Sequence, residues 1–226
     1  MTENNEKNAH TIVILGGTGK EGRGLAYRWA KAGYRIIIGS RLAEKAQSTV
    51  AEVLDHLGGN GDVRGMTNAE AIPQGDIVVI TVPYNVHRET IEGFKEALQG
   101  KYIVDVTVPL VPPKVSQVHV PEAGSAAQEA YRVLGDGVQI ASAFQNISYE
   151  NLWNDTPVEC DVLVVGSSKE VRELVIGLVE GAGLVGWDAG PLENAIVIEG
   201  MTSILIGLNR QYRVKSSGIR ITGIPR

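Results

Sequence analysis

The stretch Thr11-Ile12-Val13-Ile14-Leu15-Gly16-Gly17-Thr18-Gly19-Lys20-Glu21-Gly22 decides how the rest of this chain is read. Residues 11–15 form a short apolar, β-branched run of the kind that makes a buried strand. It passes directly into Gly17-x-Gly19-x-x-Gly22, and residues 19–32 then carry Leu25, Ala26, Trp29 and Ala30 at helical spacing before Gly33 stops them. Such glycine spacing arises by chance in a chain with 27 glycines, but between a strand and a helix it is a dinucleotide-binding signature. Gly17 permits a tight turn, Gly19 lets backbone approach a pyrophosphate, and Gly22 allows helix to pack on strand. Free N–H groups and the positive end of the helix dipole then meet the ligand's charge.

Working outward, apolar runs alternate with amphipathic stretches. Strands are expected at 35–39, 76–82, 102–106, 138–142 and 161–165, with 184–188 as an eighth; the third strand is given no range. Helices are expected at 42–57 and 86–98, and capping boxes Ser125/Gln128 and Ser167/Glu170 open two more. Pro109, Pro112, Pro113 and Pro121 make the segment after the fifth strand irregular. The pattern predicts an α/β fold, a Rossmann-type doubly wound, mostly parallel sheet with a small C-terminal α/β extension. Its boundary falls near Phe144–Ser148: a flexible N-terminus at 1–10, a nucleotide-binding domain at 11–146 and a small domain at 147–226. The last helix, 192–210, is apolar on most sides and reads as buried all round, in the core or against another subunit. Gly200, Ser203 and Gly207 on one face suit close backbone approach, as packing or as a homodimer seam.

The 226 residues are 43% hydrophobic and 21% charged, which excludes a disordered or low-complexity chain and allows a sizeable core. No apolar run approaches the ~20 residues of a membrane span, and Met1–His10 is too polar for a signal peptide. Cys160 is the single cysteine, so no intrachain disulfide forms and a reducing, cytoplasmic setting is expected. The net charge of −5 argues against a whole-surface nucleic-acid binder. Beyond Glu199 there is no acid, while Arg210, Arg213, Lys215, Arg220 and Arg226 make a basic tail, either merely solvated or facing an anionic ligand.

At the end of the second strand an NAD-binding protein presents an acid to the ribose 2′-hydroxyl. This chain presents Gly39-Ser40-Arg41, with Lys45 a turn later. A hydroxyl, a guanidinium and an ammonium suit a 2′-phosphate, so the expected cofactor is NADP rather than NAD. The remaining chemistry is sparse. No zinc spacing, H-E-x-x-H, G-x-S-x-G or Walker lysine is present. His10, His56, His87 and His119 are scattered. His87, after the fourth strand, reads as a partly solvated residue at a helix start, with proton donation as the alternative. No lysine, aspartate or tyrosine stands out to protonate a reduced carbonyl or imine, so an acceptor of the flavin-like kind, which takes hydride directly, fits better.

Leu15-Gly16-Gly17-Thr18-Gly19, Gly39-Ser40-Arg41, Thr81-Val82-Pro83-Tyr84, Asp188-Ala189-Gly190-Pro191-Leu192 and Gly218-Ile219-Arg220 resemble, in order and over residues 11–223, the F420-dependent NADP oxidoreductases. The resemblance implies hydride transfer between NADP(H) and the 8-hydroxy-5-deazaflavin coenzyme F420 as co-substrate. It implies that Thr18 and Gly19, with the Lys20 and Glu21 backbone, hold the pyrophosphate, and that Ser40, Arg41 and Lys45 hold the 2′-phosphate. Val82, Val86 and Val108 would contact the rest of the nucleotide. Gln145-Asn146-Ile147-Ser148 would floor the cleft between nicotinamide and deazaflavin, with Tyr84 beside it. Gly218 and Ile219 would meet the deazaflavin through their backbone, next to Arg220. By charge placement alone, Arg213, Lys215 and Arg220 would steer the coenzyme's anionic tail. Gln145 and Tyr84 depart from archaeal members, which carry histidine and tryptophan there. A homodimer is expected, and no protein side chain is expected to be catalytic. The alternatives are an NADPH-dependent reductase of a flavin, quinone or other small electrophile, and a non-catalytic NADP sensor.

Overall fold

A computed structural model describes residues 10–225. Of the N-terminal segment expected to be flexible, residues 1–9 lie outside the described residues, as does Arg226 of the basic tail. Strands β1 (Thr11–Leu15), β2 (Arg35–Ser40), β3 (Val63–Thr67), β4 (Ile77–Ile80), β5 (Tyr102–Asp105), β6 (Gln139–Ser142), β7 (Asp161–Gly166) and β8 (Val185–Pro191) form one sheet in the order β3-β2-β1-β4-β5-β6-β7-β8. The first six run parallel; β7 is antiparallel to β6, pairing through Ala141–Gly166 and Ser142–Val165, and β8 is parallel to β7. This is the doubly wound α/β sheet the alternation predicts. It runs unbroken past the expected boundary at 146/147.

The continuous apolar strands follow from burial on both faces. Successive side chains of β1 alternate: Ile12 and Ile14 enter one core, Val13 and Leu15 the other. The first core is closed by α1 (Lys20–Lys31) and α2 (Ala43–His56), with Leu25 and Trp29 of α1 fully buried. Short helix α3 (Asn68–Ala71), then α4 (Tyr84–Gly93), α5 (Lys95–Leu98) and α6 (Ala126–Leu134) cover the second face through Ala71, Ile91, Leu98, Ala127, Ala130 and Leu134. Later helices return to both sides. Leu152 of α7 (Tyr149–Trp153) and Val171, Val175 and Leu178 of α8 (Lys169–Gly181) join the first core. Ile198 of α9 (Ala195–Tyr212) joins the second.

Several local expectations are corrected. The helix expected at 86–98 starts at Tyr84 and breaks at Phe94 (φ −117°, ψ 12°), giving α4 and α5. α8 is capped by Ser168, whose hydroxyl accepts from the Val171 N–H; the neighbouring Ser167 is occupied by the Ile140 N–H of β6. Ser125 does cap α6, accepting from the Gln128 N–H at 3.0 Å, but the Gln128 Oε1 has no partner, so the box is half made. β8 runs on to Pro191, and a 3-10 turn at Leu192–Asn194 precedes α9. Within this chain the core alone does not cover α9, the first of the two settings expected for it. Ala195, Ile198, Ser203 and Leu205 face inward, while Val197 and Ile204 are 62% and 57% exposed. Its glycine face is met from within the chain: a Cβ on Gly200 would stand 3.2 Å from Val118 Cγ1.

Candidate functional site

In a doubly wound sheet, ligands sit at the carboxyl ends of the strands where the order reverses, here between β1 and β4. The loop at residues 16–19 lies there. The positive φ that the turn needs falls on Gly16 (+71°) rather than on Gly17, and a Cβ on Gly16 would meet Val82 Cγ1 at 2.9 Å. Gly17 is needed for close approach: its N–H donates to the Ile14 and Gly39 carbonyls, and a Cβ would stand 2.9 Å from the Ile14 oxygen. Gly19 is exposed, with no atom nearer than 3.4 Å to a Cβ, so space lies open where a pyrophosphate would approach. Gly22 seats α1 on the strands, since a Cβ there would press to 2.7 Å on Gly17 Cα and Thr81 Oγ1.

No side chain caps α1, so the first-turn N–H groups of Lys20, Glu21 and Gly22 have no partner within the helix. Thr18 and Lys20 flank them at the surface. Burial pushes the Glu21 carboxyl up to about 8, and its Oε1 has no partner. A neutral Glu21 is compatible with an anion at this helix end. At the end of β2, Ser40 is buried and accepts from the Leu42 N–H, while Arg41 and Lys45 are exposed. No acid occupies that strand end. The residues present therefore fit a dinucleotide bearing a 2′-phosphate.

Val82 follows β4, with Tyr84 and Val86 in the first turn of α4 and Val108 after β5; Tyr84, Val86 and Val108 are half-buried. They extend the edge away from the phosphate loop. Next comes the turn after β6. Phe144 adopts a left-handed φ of +73° and directs Gln145 back against β5. Gln145 Nε2 donates to the Asp105 carbonyl at 2.8 Å and Ser142 Oγ at 2.7 Å, which leaves its Oε1 buried without a partner. Asn146 Nδ2 donates to the Asp161 carbonyl at 2.7 Å and Cys160 Sγ at 3.3 Å. Ile147 is buried, and Ser148 caps α7.

Because β7 runs antiparallel, its amino end lies at this same edge, and there the C-terminal segment crosses. The Ile219 N–H donates to Cys160 Sγ, its carbonyl accepts from the Asp161 N–H, and Asp161 Oδ2 accepts from the Ile221 N–H. The backbone of Ile219 is thus committed within the chain, leaving Gly218 as the exposed member of the pair. A Cβ on Gly218 would collide with Cys160 Sγ at 2.4 Å. Burial pushes the Cys160 thiol up, which suits this packing role. Arg213, Lys215 and Arg220 are all exposed, and Arg220 stands 3.7 Å from Glu159.

Asp105, Glu199, Thr202 and Tyr149 were not singled out by the sequence, and His87 was placed differently. His87 is fully buried rather than partly solvated, with Nε2 2.7 Å from Asp105 Oδ2. Burial pulls this histidine down, but the charge and hydrogen bond of Asp105 outweigh it and hold it above the usual value. Glu199 of α9 is buried and accepts from the Ala126 and Ala127 N–H groups at 2.7 and 3.1 Å. Burial and the charge of Asp105 push it up to about 8, against the pull of those N–H groups and His87. Thr202 Oγ1 donates to the Gln145 carbonyl at 2.7 Å. Tyr149 takes Lys20 at 3.2 Å, with the ammonium over its ring, tying phosphate loop to floor turn. None of these has a sequence signal, because each pairing spans tens of residues and appears only once the sheet edge is assembled. Among the described residues no cluster of histidine, cysteine or acids could hold a metal, and no helix is long and apolar enough to cross a membrane.

Residues 11–109 match the family model described as NADP oxidoreductase coenzyme F420-dependent. The chain is 41% identical over 221 residues to the F420-dependent NADP reductase of Methanocaldococcus jannaschii, covering 94% of this chain and 98% of that one. It is 43% identical over 223 residues to the enzyme of that name from Methanothermobacter marburgensis, covering 95% and 99%. Among solved structures, a protein from Arthrobacter sp. FB24 superposes with a TM-score of 0.81 at 19% identity over 95% of this chain and all of that one. A UDP-glucose dehydrogenase from Pyrobaculum islandicum gives 0.66 at 14% identity over 91% and 52%; both likenesses concern the fold. At 41% and 43% identity over nearly the full length of both chains, the chain belongs to the F420-dependent NADP reductases.

Proposed function

We propose that this protein transfers a hydride between NADP(H) and coenzyme F420 in one cleft along the carboxyl edge of the sheet. The observation that carries the reading is the placement on one edge of the phosphate loop, the acid-free end of β2 and the Gln145–Ser148 turn. When bound, NADPH supplies a hydride from its nicotinamide C4 and the deazaflavin accepts it at C5. The chain's own task is placement. Gly17, Thr18, Gly19, Lys20, Glu21 and Gly22 receive the pyrophosphate at the α1 amino end, and Ser40, Arg41 and Lys45 hold the 2′-phosphate. Val82, Val86 and Val108 bed the nucleotide. Tyr84, Gln145, Asn146, Ile147 and Ser148 floor the acceptor side, with Gly218, Ile219 and Arg220 at its rim. Holding two rings ~3–3.5 Å apart with water excluded supplies the acceleration, and no side chain acts as nucleophile.

The reading includes a nucleotide domain at 11–146, a smaller unit at 147–226 that completes the acceptor side, a homodimer and a cytoplasmic setting. Exposed Ile196, Val197, Ile204 and Leu208 on α9, beside Val118, support a dimer face there. Deuterium in place of the transferable hydrogen of NADPH tests the reaction. The label should appear at C5 of the reduced deazaflavin; label lost to solvent would exclude direct transfer.

A further inference from the structure

We propose that Thr202 is a positioning residue for hydride transfer: through the Gln145 carbonyl it holds the floor turn in register with the nucleotide side of the cleft. The inference rests on the function proposed above. A helical threonine ordinarily returns its hydroxyl to a carbonyl of its own helix one turn back. Thr202 instead reaches out of α9 and donates at 2.7 Å to Gln145 on the turn after β6.

That turn needs an external hold. Phe144, buried and not a glycine, sits at φ +73°, a conformation L-residues avoid unless their surroundings impose it. Gln145 Nε2 must face the Asp105 carbonyl, which only accepts, so Oε1 is the atom turned toward other partners. Gln145 is 6% exposed, and its Oε1 has no hydrogen-bond partner among the described residues. α9 is itself fixed one turn earlier, where Glu199 grips the amino end of α6 with both oxygens. Hydrogen bonds at two points of α9, joined by its backbone, therefore tie α6 through Glu199 and Thr202 to Gln145, which in turn bonds Asp105, the partner of His87. It ends on the strand termini that bed the nucleotide.

The test compares Thr202→Val, which keeps the shape and loses the donor, with Thr202→Ser, which keeps the donor. In the full chain, Thr202→Val should lower kcat about ten-fold while KM for NADPH stays within about two-fold. Amide exchange across Phe144–Ser148 should quicken, and Thr202→Ser should restore both. An unchanged kcat, an unchanged exchange rate, or a Ser variant as impaired as the Val variant would overturn the proposal. A wild-type protein that binds NADPH without reducing the deazaflavin would instead overturn the reaction proposed above. The exchange readout then decides the Thr202 hold by itself: quickening in Val with recovery in Ser supports it, and no change overturns it.

Discussion

His87 Nε2 stands 2.7 Å from Asp105 Oδ2, and neither side chain reaches solvent. The pair locks the first turn of α4, which carries Val86, to the end of β5, three residues before Val108. A buried pair broken on one side leaves an uncompensated polar group, at a cost of about 3–5 kcal/mol. Asp105→Asn should therefore lower the melting temperature by on the order of 10 °C in a chain of this size. His87 is held above its ordinary value, so its contribution is full below about pH 6.5 and fades as pH rises through the folded value. The gap between wild type and Asp105→Asn should narrow between pH 6 and 9, by thermal melts at each pH.

Glu199 works in the same direction by a different route. Its carboxyl is raised to about 8, so between the ordinary carboxylate range and pH 8 the folded chain holds a proton the unfolded chain has lost. Stability then falls with rising pH, by at most about 1.4 kcal/mol per pH unit. Glu199→Gln removes that dependence. Its stability relative to wild type should rise from pH 5 to 8; a constant difference would show that Glu199 is ionised throughout.

Glu21 lies where the dinucleotide's charge arrives. Raised to about 8, it is mostly neutral at pH 7 and becomes an anion beside the helix amino end above that. NADPH should bind more weakly from pH 7.5 to 9 in wild type, and Glu21→Gln should remove the loss. Titration by nicotinamide fluorescence reads both.

Arg41 is exposed directly after β2, and no carboxylate takes the strand-end position at Gly39-Ser40-Arg41. Arg41→Ala should weaken NADPH about ten-fold or more and leave NADH nearly unchanged, since a hydrogen bond to a charged group contributes about 1.5–3 kcal/mol. Equal losses for both nucleotides would place the 2′-phosphate elsewhere.

How much of this was legible depends on the range of the interaction. Residues 11–22 announce strand, turn and helix because the glycine spacing and hydrophobic period act locally, and Ser40-Arg41 could be read because β2 must end beside β1. β3 escaped assignment because Val63–Thr67 is an edge strand, only partly covered and lacking a continuous apolar run. His87 was misplaced because its neighbours in sequence, Arg88 and Glu89, are exposed, whereas the partner that buries it lies 18 residues away. Glu199 and Thr202 sit in an apolar helix whose pattern says nothing of which carbonyl or N–H awaits them. The exposed side of α9 is apolar in sequence just as the buried side is, so only packing tells them apart.

The central claim is tested most directly by mixing purified protein with oxidised deazaflavin and either NADPH or NADH, and following loss of the deazaflavin's visible absorbance. Rapid bleaching with NADPH and little with NADH is the expected result. No bleaching with NADPH, in protein shown to bind it, would contradict the account.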